Sequence, residues 1–144
     1  MNIASILATK GDKVVTIRPE QTIREALAAL AQHNIGCLVV VDESRNPVGM
    51  LSERDVVRTA VKNEAVFGLT VSQLMSRTLI LGTPSDDIVA AGSTMVERRI
   101  RHLPVMDGGR LVGIVTIGDI MKAQRDALLG EVDTLQIIVM ERGA

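Results

Sequence analysis

The sequence predicts an α/β fold made of two pseudo-symmetric βαββα-like halves, in which small sheets are covered by helices. The first observation is an internal repeat, because residues 15–55 and 80–119 follow the same order of apolar, turn and polar segments. The second is that each copy alternates short β-branched runs with segments of helical periodicity. The third is composition: 47% of the residues are hydrophobic but only 1% are aromatic, so the core must be aliphatic and methionine-rich.

The offset between the two copies is nearly constant. The prolines that end the first predicted strands are 65 positions apart, and so are the aspartates that end the second strands. The offset falls to 64 between Asp55 and Asp119, which follow the third strands. We therefore expect a one-residue slip in register inside the turn that joins the second and third strands.

The first copy is predicted to contain a helical lead-in, a strand, a helix, a two-stranded hairpin and a further helix. The β-branched run before Pro19 favours a strand, and the continuous apolar run at 38–41 is typical of a strand buried on both faces. Apolar residues at helical spacing follow Thr22, which can cap a helix. The predicted bounds are 3–7, 14–17, 22–31, 38–41, 48–51 and 53–62.

The second copy repeats this order after a linker. Gly92 lies inside its first long helix, which predicts close packing against a neighbouring element. Asp107, two glycines and Arg110 predict a tight hairpin turn. The predicted bounds are 70–75 for the lead-in helix, 79–83, 103–106 and 112–115 for strands, 86–98 for a helix, and 117 onward for the last helix.

The chain divides into a first repeat (1–62), a linker (63–69), a second repeat (70–126) and a C-terminal helical tail (127–144). The tail carries Leu128, Val132, Leu135 and Val139 at spacings of four, three and four, which is one apolar helical stripe. The helix either continues or restarts after Gly130. A stripe of this kind must pack on something, either on the chain itself or on a second copy of it.

Two matching polar signatures follow the third strands. They read Gly-h-h-h-Ser-x-x-Asp at 49–55 and Gly-h-h-h-Thr-x-x-Asp at 113–119, where h is hydrophobic or small, and Arg-His-Leu-Pro-Val stands at 101–105. With these motifs the chain, roughly over residues 3–122, resembles a tandem pair of CBS domains (the cystathionine-β-synthase type), here as a stand-alone pair. The resemblance implies the fold of such pairs and a role as a sensor of adenine nucleotides rather than a catalyst.

Each signature supports two interpretations. Ser/Thr-x-x-acid at a helix start is the N-terminal capping pattern, in which the side chains satisfy free amides. The same geometry can bind a nucleotide, because helix-terminal amides favour an anion and a carboxylate accepts hydrogen bonds from ribose hydroxyls. The resemblance implies that Asp55 and Asp119 take the ribose while Ser52 and Thr116 help with the phosphate.

The resemblance also places Arg101 and His102 at the phosphates. The first copy has Gly36 and Cys37 instead, so the two clefts should differ in phosphate recognition. For Ile17 and Cys37, ordinary packing in the core is an alternative at least as good as contact with a nucleotide. The residues expected to contact a nucleotide are Thr16, Ile17, Ile35, Gly36, Cys37, Ser52, Arg54, Asp55, Leu81, Arg101, His102, Pro104, Thr116, Asp119 and Lys122.

Composition and missing motifs exclude several classes of function. Sixteen basic against 17 acidic residues and a single Phe argue against a nucleic-acid partner. One cysteine suits a reducing, cytoplasmic location, and neither a signal peptide nor an apolar run of about 20 residues indicates a membrane. There is no P-loop, no Rossmann glycine pattern, no metal-ligand spacing and no recognisable nucleophile setting, so we expect no catalytic residue, no metal and no required cofactor.

The preferred function is a regulatory module that binds AMP, ADP, ATP or NAD(H) and signals through a change of conformation or of dimer geometry. It would act as a homodimer on a protein effector in trans. The alternative is an interaction or scaffold protein that binds no nucleotide, in which both signatures are only helix caps. A nucleotide hydrolase is a third possibility, for which the sequence offers no catalytic group.

Overall fold

The computed structural model describes residues 1–143 and confirms the α/β class with small sheets and covering helices. A 3₁₀ turn at Val66–Gly68 lies in the predicted linker. The elements are α1 (Ile3–Lys10), β1 (Thr16–Ile17), α2 (Ile23–His33), β2 (Cys37–Val41), β3 (Pro47–Ser52), α3 (Glu53–Ala60), α4 (Val71–Leu74), α5 (Ile88–Arg98), β4 (His102–Asp107), β5 (Arg110–Thr116) and α6 (Ile117–Gly143).

Each repeat is built around an antiparallel hairpin. β2 pairs with β3 in the first repeat and β4 pairs with β5 in the second, and both hairpins carry a bulge at the same place. Val41 pairs with Pro47, and Met106 pairs with Leu111. The offset therefore changes between these paired residues, which confirms the predicted register slip in the turn. β2 is buried along its whole length, as expected for a strand covered on both faces.

The first strand of the second repeat is not formed, contrary to the prediction for 79–83. β1 lies parallel to β2, and the Val39 amide donates to the Val15 carbonyl (3.4 Å). Pro104 occupies the matching position of β4 and has no amide hydrogen to donate. Only an isolated bridge remains, in which Gly82 donates to the Pro104 carbonyl (2.8 Å) and accepts from Met106 (2.9 Å).

The two short helices exchange places between the repeats. Ile3 and Ile6 of α1 are buried in the core of the second repeat, with the side chains of α5, β4 and β5. Val71 of α4 and the adjacent Met75 are buried in the core of the first repeat. Neither repeat therefore completes its core from its own consecutive sequence, a feature that local sequence patterns do not reveal.

The last helix runs without a break through Gly130 to Gly143. Its first turns pack on the second repeat, and Ile120 meets α5 at Gly92, where an added Cβ would lie 3.1 Å from Ile120 Cγ2. This contact confirms the close packing predicted for that glycine. From Arg125 to Arg142 every residue is exposed, so the tail does not pack back on its own chain. Of the helices in residues 1–143, none combines the length and the hydropathy needed to cross a bilayer.

Candidate functional site

A cavity of about 360 Å³ lies between the two repeats, and we call it the inter-repeat cavity. Its size is in the range of pockets that hold small ligands. The first repeat contributes the start of β2 and the signature at the start of α3, and the second contributes the start of β4. The lining residues are Gly36, Cys37, Met50, Ser52, Glu53, Arg54, Asp55, Arg58, Ser76, Thr78, Ile80, Arg99, Ile100, Arg101, His102 and Pro104.

The first signature forms a complete capping box at the wall of this cavity. Asp55 Oδ2 accepts from the Ser52 amide (2.9 Å) and hydroxyl (3.0 Å), and the Asp55 amide donates to Ser52 Oγ (3.2 Å). The Glu53 amide donates to the Gly36 carbonyl (2.9 Å), which holds the helix start against the start of β2. The capping interpretation is thus realised, and it uses only one oxygen of the Asp55 carboxylate among residues 1–143.

The second signature makes the same cap and also holds a cation. Asp119 Oδ2 accepts from the Thr116 amide (2.8 Å) and from Lys10 Nζ (2.6 Å). Burial acts to raise the pKa of Asp119, but the hydrogen bonds from Lys10 and Thr116 outweigh it and the pKa is lowered. We call Lys10, Ile114, Thr116 and Asp119 the second-signature site.

Basic side chains dominate the charge of the inter-repeat cavity. Arg99 has a left-handed backbone (φ 56°) at the end of α5, and this turn brings the chain round to β4. The arginines face only two carboxylates in the lining, Glu53 and Asp55. Four arginines line the cavity, namely Arg54, Arg58, Arg99 and Arg101. None of them forms a salt bridge in the described part of the chain.

His102 lies near both signatures, since it pairs with Thr116 in the β4–β5 hairpin and lines the inter-repeat cavity with Ser52 and Asp55. Burial lowers its pKa, and the nearby charges of Lys10 and Arg101 lower it further, against the opposing effect of Asp119 and Glu53. The imidazole is therefore neutral at pH 7 and has one donor and one acceptor nitrogen. An anion bound next to His102 would favour its protonated form.

The remaining lining is largely apolar. Cys37 is a free, buried thiol, as the sequence suggested, and burial together with the charge of Asp55 raises its pKa to about 12. A thiol of this kind is inert as a nucleophile. Ile80, Ile100 and Pro104 add hydrocarbon on the side of the second repeat. The cavity thus combines an apolar surface with a carboxylate and a cluster of cations.

The structure brings about half of the sequence-predicted residues together. Gly36, Cys37, Ser52, Arg54, Asp55, Arg101, His102 and Pro104 all line the inter-repeat cavity. Thr116 and Asp119 lie at the second-signature site, and Ile35 packs on the first core. Thr16 and Ile17 form β1, with Ile17 buried in that core, while Leu81 and Lys122 are exposed outside the cavity.

Sequence reasoning missed several of the site residues. Lys10 lies beyond the predicted lead-in helix at 3–7 and was given no role, but the exchange of α1 onto the second repeat brings it to Asp119. Ser76 and Thr78 reach the cavity because α4 packs on the first repeat. The repeat offset was the available signal for these residues, since it relates α1 to α4, but it does not show which core each helix joins.

The comparisons with known proteins agree with this architecture. The model of the CBS domain matches residues 4–62 and 71–126. The chain belongs to the CBS domain family. Its two matches are the two repeats described above, and the inter-repeat cavity lies between them.

Relatives in the family share most of the chain. The CBS domain-containing protein YhcV of Bacillus subtilis is 36% identical over 118 residues, which span 82% of this chain and 84% of YhcV. The crystal structure of the CBS-domain containing protein ATU1752 from Agrobacterium tumefaciens has a TM-score of 0.82 and 34% identity, covering 86% of this chain and 99% of that one. The CBS domain protein PAE2072 from Pyrobaculum aerophilum, complexed with AMP, has a TM-score of 0.73 and 27% identity, covering 83% and 89%.

Proposed function

We propose that this protein is a regulatory module that binds an adenine nucleotide in the inter-repeat cavity. The observation that carries the proposal is the meeting of three features there: the Asp55 signature, an apolar surface and four arginines without salt-bridge partners in residues 1–143. A nucleotide needs these same three features, for its ribose, its base and its phosphates. The AMP complex of the P. aerophilum relative supports this class of ligand.

The residues divide into three roles in this proposal. Asp55 offers its second carboxylate oxygen to the ribose hydroxyls, because only Oδ2 is used by the cap. Arg99 and Arg101 offer planar guanidinium groups to phosphate oxygens. Ile80 and Ile100 provide apolar surface for the base. AMP, ADP, ATP and NAD(H) are all candidates, since each combines adenine, ribose and phosphate.

Nucleotides that bind this cavity should stabilise the folded chain. A ligand at 100 times its dissociation constant adds about 2.7 kcal/mol by mass action. We therefore expect millimolar AMP, ATP or NADH to raise the melting temperature in a thermal-shift assay, with inosine monophosphate and inorganic phosphate as controls for the base and the anion. An unchanged melting temperature with all three adenine nucleotides would overturn the proposal.

The role that follows is signalling rather than catalysis. The cavity offers groups that bind charge and hydrocarbon, and the thiol that lines it is held protonated by its raised pKa. We propose that no bond of the nucleotide is broken and that binding changes the relation between the repeats. The output would reach a cytoplasmic protein effector in trans, or be a change in the dimer itself.

We further propose that the chain forms a homodimer in which the tail takes part. Leu128, Leu135 and Val139 are 61%, 62% and 67% exposed, and Val132 lies in the same stripe. The apolar residues of the stripe are spaced by four and three residues, as in the interface between two packed helices. The α6 helix of a second copy would bury this stripe. Val96 of α5 is also exposed, in a surface groove that it shares with Met121 of α6.

Leu135→Glu should convert the dimer to a monomer, because it places a charge in the centre of the apolar stripe. Thr134→Glu adds the same charge one position away, where the Thr134 hydroxyl bonds only the Gly130 carbonyl of its own helix (2.9 Å), and it should remain dimeric. Light scattering on the intact chain gives the mass directly. A monomeric wild-type chain would remove the dimer proposal, and a dimeric Leu135→Glu would show that the tail is not required.

One observation favours the second candidate, a scaffold protein that binds no nucleotide. Both signatures form helix caps, through Ser52 with Asp55 and through Thr116 with Asp119. Capping alone would explain why the same Ser/Thr-x-x-Asp spacing occurs in both copies. The arginine cluster remains without a role in that case, which is why the nucleotide proposal is preferred.

A further inference from the structure

We propose that Lys10 weakens ligand binding at the second-signature site, because a ligand that uses Asp119 must compete with this lysine for the carboxylate. The inference deepens the proposed function and rests on it. Lys10 Nζ donates to Asp119 Oδ2 (2.6 Å) and to the Ile114 carbonyl (2.9 Å). The ammonium group therefore compensates the charge of the carboxylate at the oxygen that the cap also uses, while Oδ1 has no partner among residues 1–143.

The position of Lys10 is fixed by the packing of α1. Lys10 is the last residue of the helix, and Gly11 follows with a positive φ of 98° and donates back to the Leu7 carbonyl (2.8 Å). Leu7 lies over Gly113 of β5, where an added Cβ would come within 2.6 Å of Leu7 Cδ2. The absence of a side chain at Gly113 thus lets α1 approach β5 closely enough for its terminal lysine to reach Asp119.

The two signatures are unequal for this reason. Met75 covers Gly49 in the first repeat as Leu7 covers Gly113 in the second, and the chain then reaches the inter-repeat cavity at Thr78, which carries no charge. No cation lies within salt-bridge distance of Asp55 in residues 1–143, whereas Lys10 neutralises Asp119. The first signature thus offers a ligand a carboxylate without a cation partner, and the second offers one whose charge Lys10 already compensates.

Displacement of Lys10 has a consequence for the fold. The segment 11–15 leads directly from Lys10 into β1 of the first repeat. Ile3 and Ile6 remain buried in the second core and hold the rest of α1 in place. A ligand that displaced Lys10 would therefore release only the end of α1 and segment 11–15, which links occupancy of this site to the relative arrangement of the repeats.

The size of the effect follows from the exposure of the pair. The side chains of Lys10 and Asp119 are 32% and 26% exposed, so solvent weakens the interaction. Removing the lysine should strengthen binding at this site by about fivefold, the factor expected for a partly exposed ion pair near the upper end of the usual range. Ligands that compete for the carboxylate through ribose hydroxyls should all gain similarly.

Isothermal titration calorimetry with adenosine and AMP tests the proposal. The background is Asp55→Asn, which should weaken binding in the inter-repeat cavity by about tenfold or more. The comparison is Lys10→Met against Lys13→Met, since Lys13 is an exposed lysine in the segment that follows α1. We expect adenosine to bind the Lys10→Met protein about fivefold more tightly, and the Lys13→Met protein unchanged. Unchanged or weaker adenosine binding in Lys10→Met overturns the proposal, and a loss confined to AMP would identify Lys10 as a phosphate ligand instead.

A measurement without ligand separates this inference from the function it rests on. The pKa of the Asp119 carboxyl, followed by NMR titration, should rise in Lys10→Met because a hydrogen bond and a positive charge are removed. An unchanged pKa means that Lys10 does not occupy the site and overturns the proposal. If the pKa rises but the wild-type chain and both lysine variants bind neither adenosine nor AMP, the nucleotide function fails, and competition by Lys10 for a ligand site fails with it.

Discussion

Asp55→Asn should lower the affinity for AMP and adenosine by about tenfold or more while leaving the melting temperature nearly unchanged. An asparagine oxygen can still accept from the Ser52 amide, so the cap that Asp55 Oδ2 now makes is retained. The other carboxylate oxygen becomes an amide NH₂, which can no longer accept from ribose. Hydrogen bonds to charged groups contribute about 1.5–3 kcal/mol, and about 1.4 kcal/mol corresponds to a tenfold change in affinity.

Calorimetric titration and a thermal melt measure the two quantities separately. Asp87→Asn is a matched control, because Asp87 caps α5 through the Ala90 amide (3.1 Å) and lies outside the inter-repeat cavity. The control should bind AMP as the wild-type chain does. If Asp55→Asn binds AMP normally but melts lower, Asp55 is a helix cap and nothing more, and the scaffold function gains support.

Gly49→Ala should destabilise the fold by about 1–3 kcal/mol, the usual effect of overpacking. A Cβ at Gly49 would lie 2.8 Å from both Met75 Sδ and the backbone carbonyl oxygen of Ser76. The carbonyl cannot move freely, because Ser76 is tied to Met50 by two backbone hydrogen bonds of 2.9 and 2.8 Å. The added methyl group must therefore separate α4 from the first repeat.

Two further glycines calibrate this result in chemical denaturation experiments. Gly113→Ala should cost less, because the atoms it meets belong to the flexible end of the Leu7 side chain. Gly68→Ala meets nothing within 4 Å and should change the free energy of unfolding by less than about 0.5 kcal/mol. Equal stability of Gly49→Ala and Gly68→Ala would show that the exchanged helix is not packed as described.

The local sequence predicted most of the elements because their signals are local. The apolar run that became β2 and the stripe that became α2 needed no knowledge of the rest of the chain. The missing strand at 79–83 is an instructive failure, since its own sequence is suitable and the obstacle is Pro104, about twenty positions away on the partner strand. Strand formation depends on the amide of the partner as well as on the strand itself.

The candidate site was predictable only in part for the same reason. The signatures at Asp55 and Asp119 follow from spacing alone, whereas the meeting of the first signature with Arg99 and Arg101 depends on how the repeats pack. The contact between Lys10 and Asp119 depends on the exchange of α1 onto the second core. Sequence patterns predict which face of a helix or strand is apolar, but not which other element packs against that face.

NMR mapping of AMP binding on the intact chain tests the central claim most directly. If AMP binds between the repeats, the backbone amides of Ser52 to Asp55 and of Arg101 and His102 should shift together, with the same dissociation constant. Amides of the Asp107 to Arg110 turn, which lie outside the cavity, should not move. Shifts confined to one repeat, or no shifts at millimolar AMP, would contradict a nucleotide site formed by both repeats.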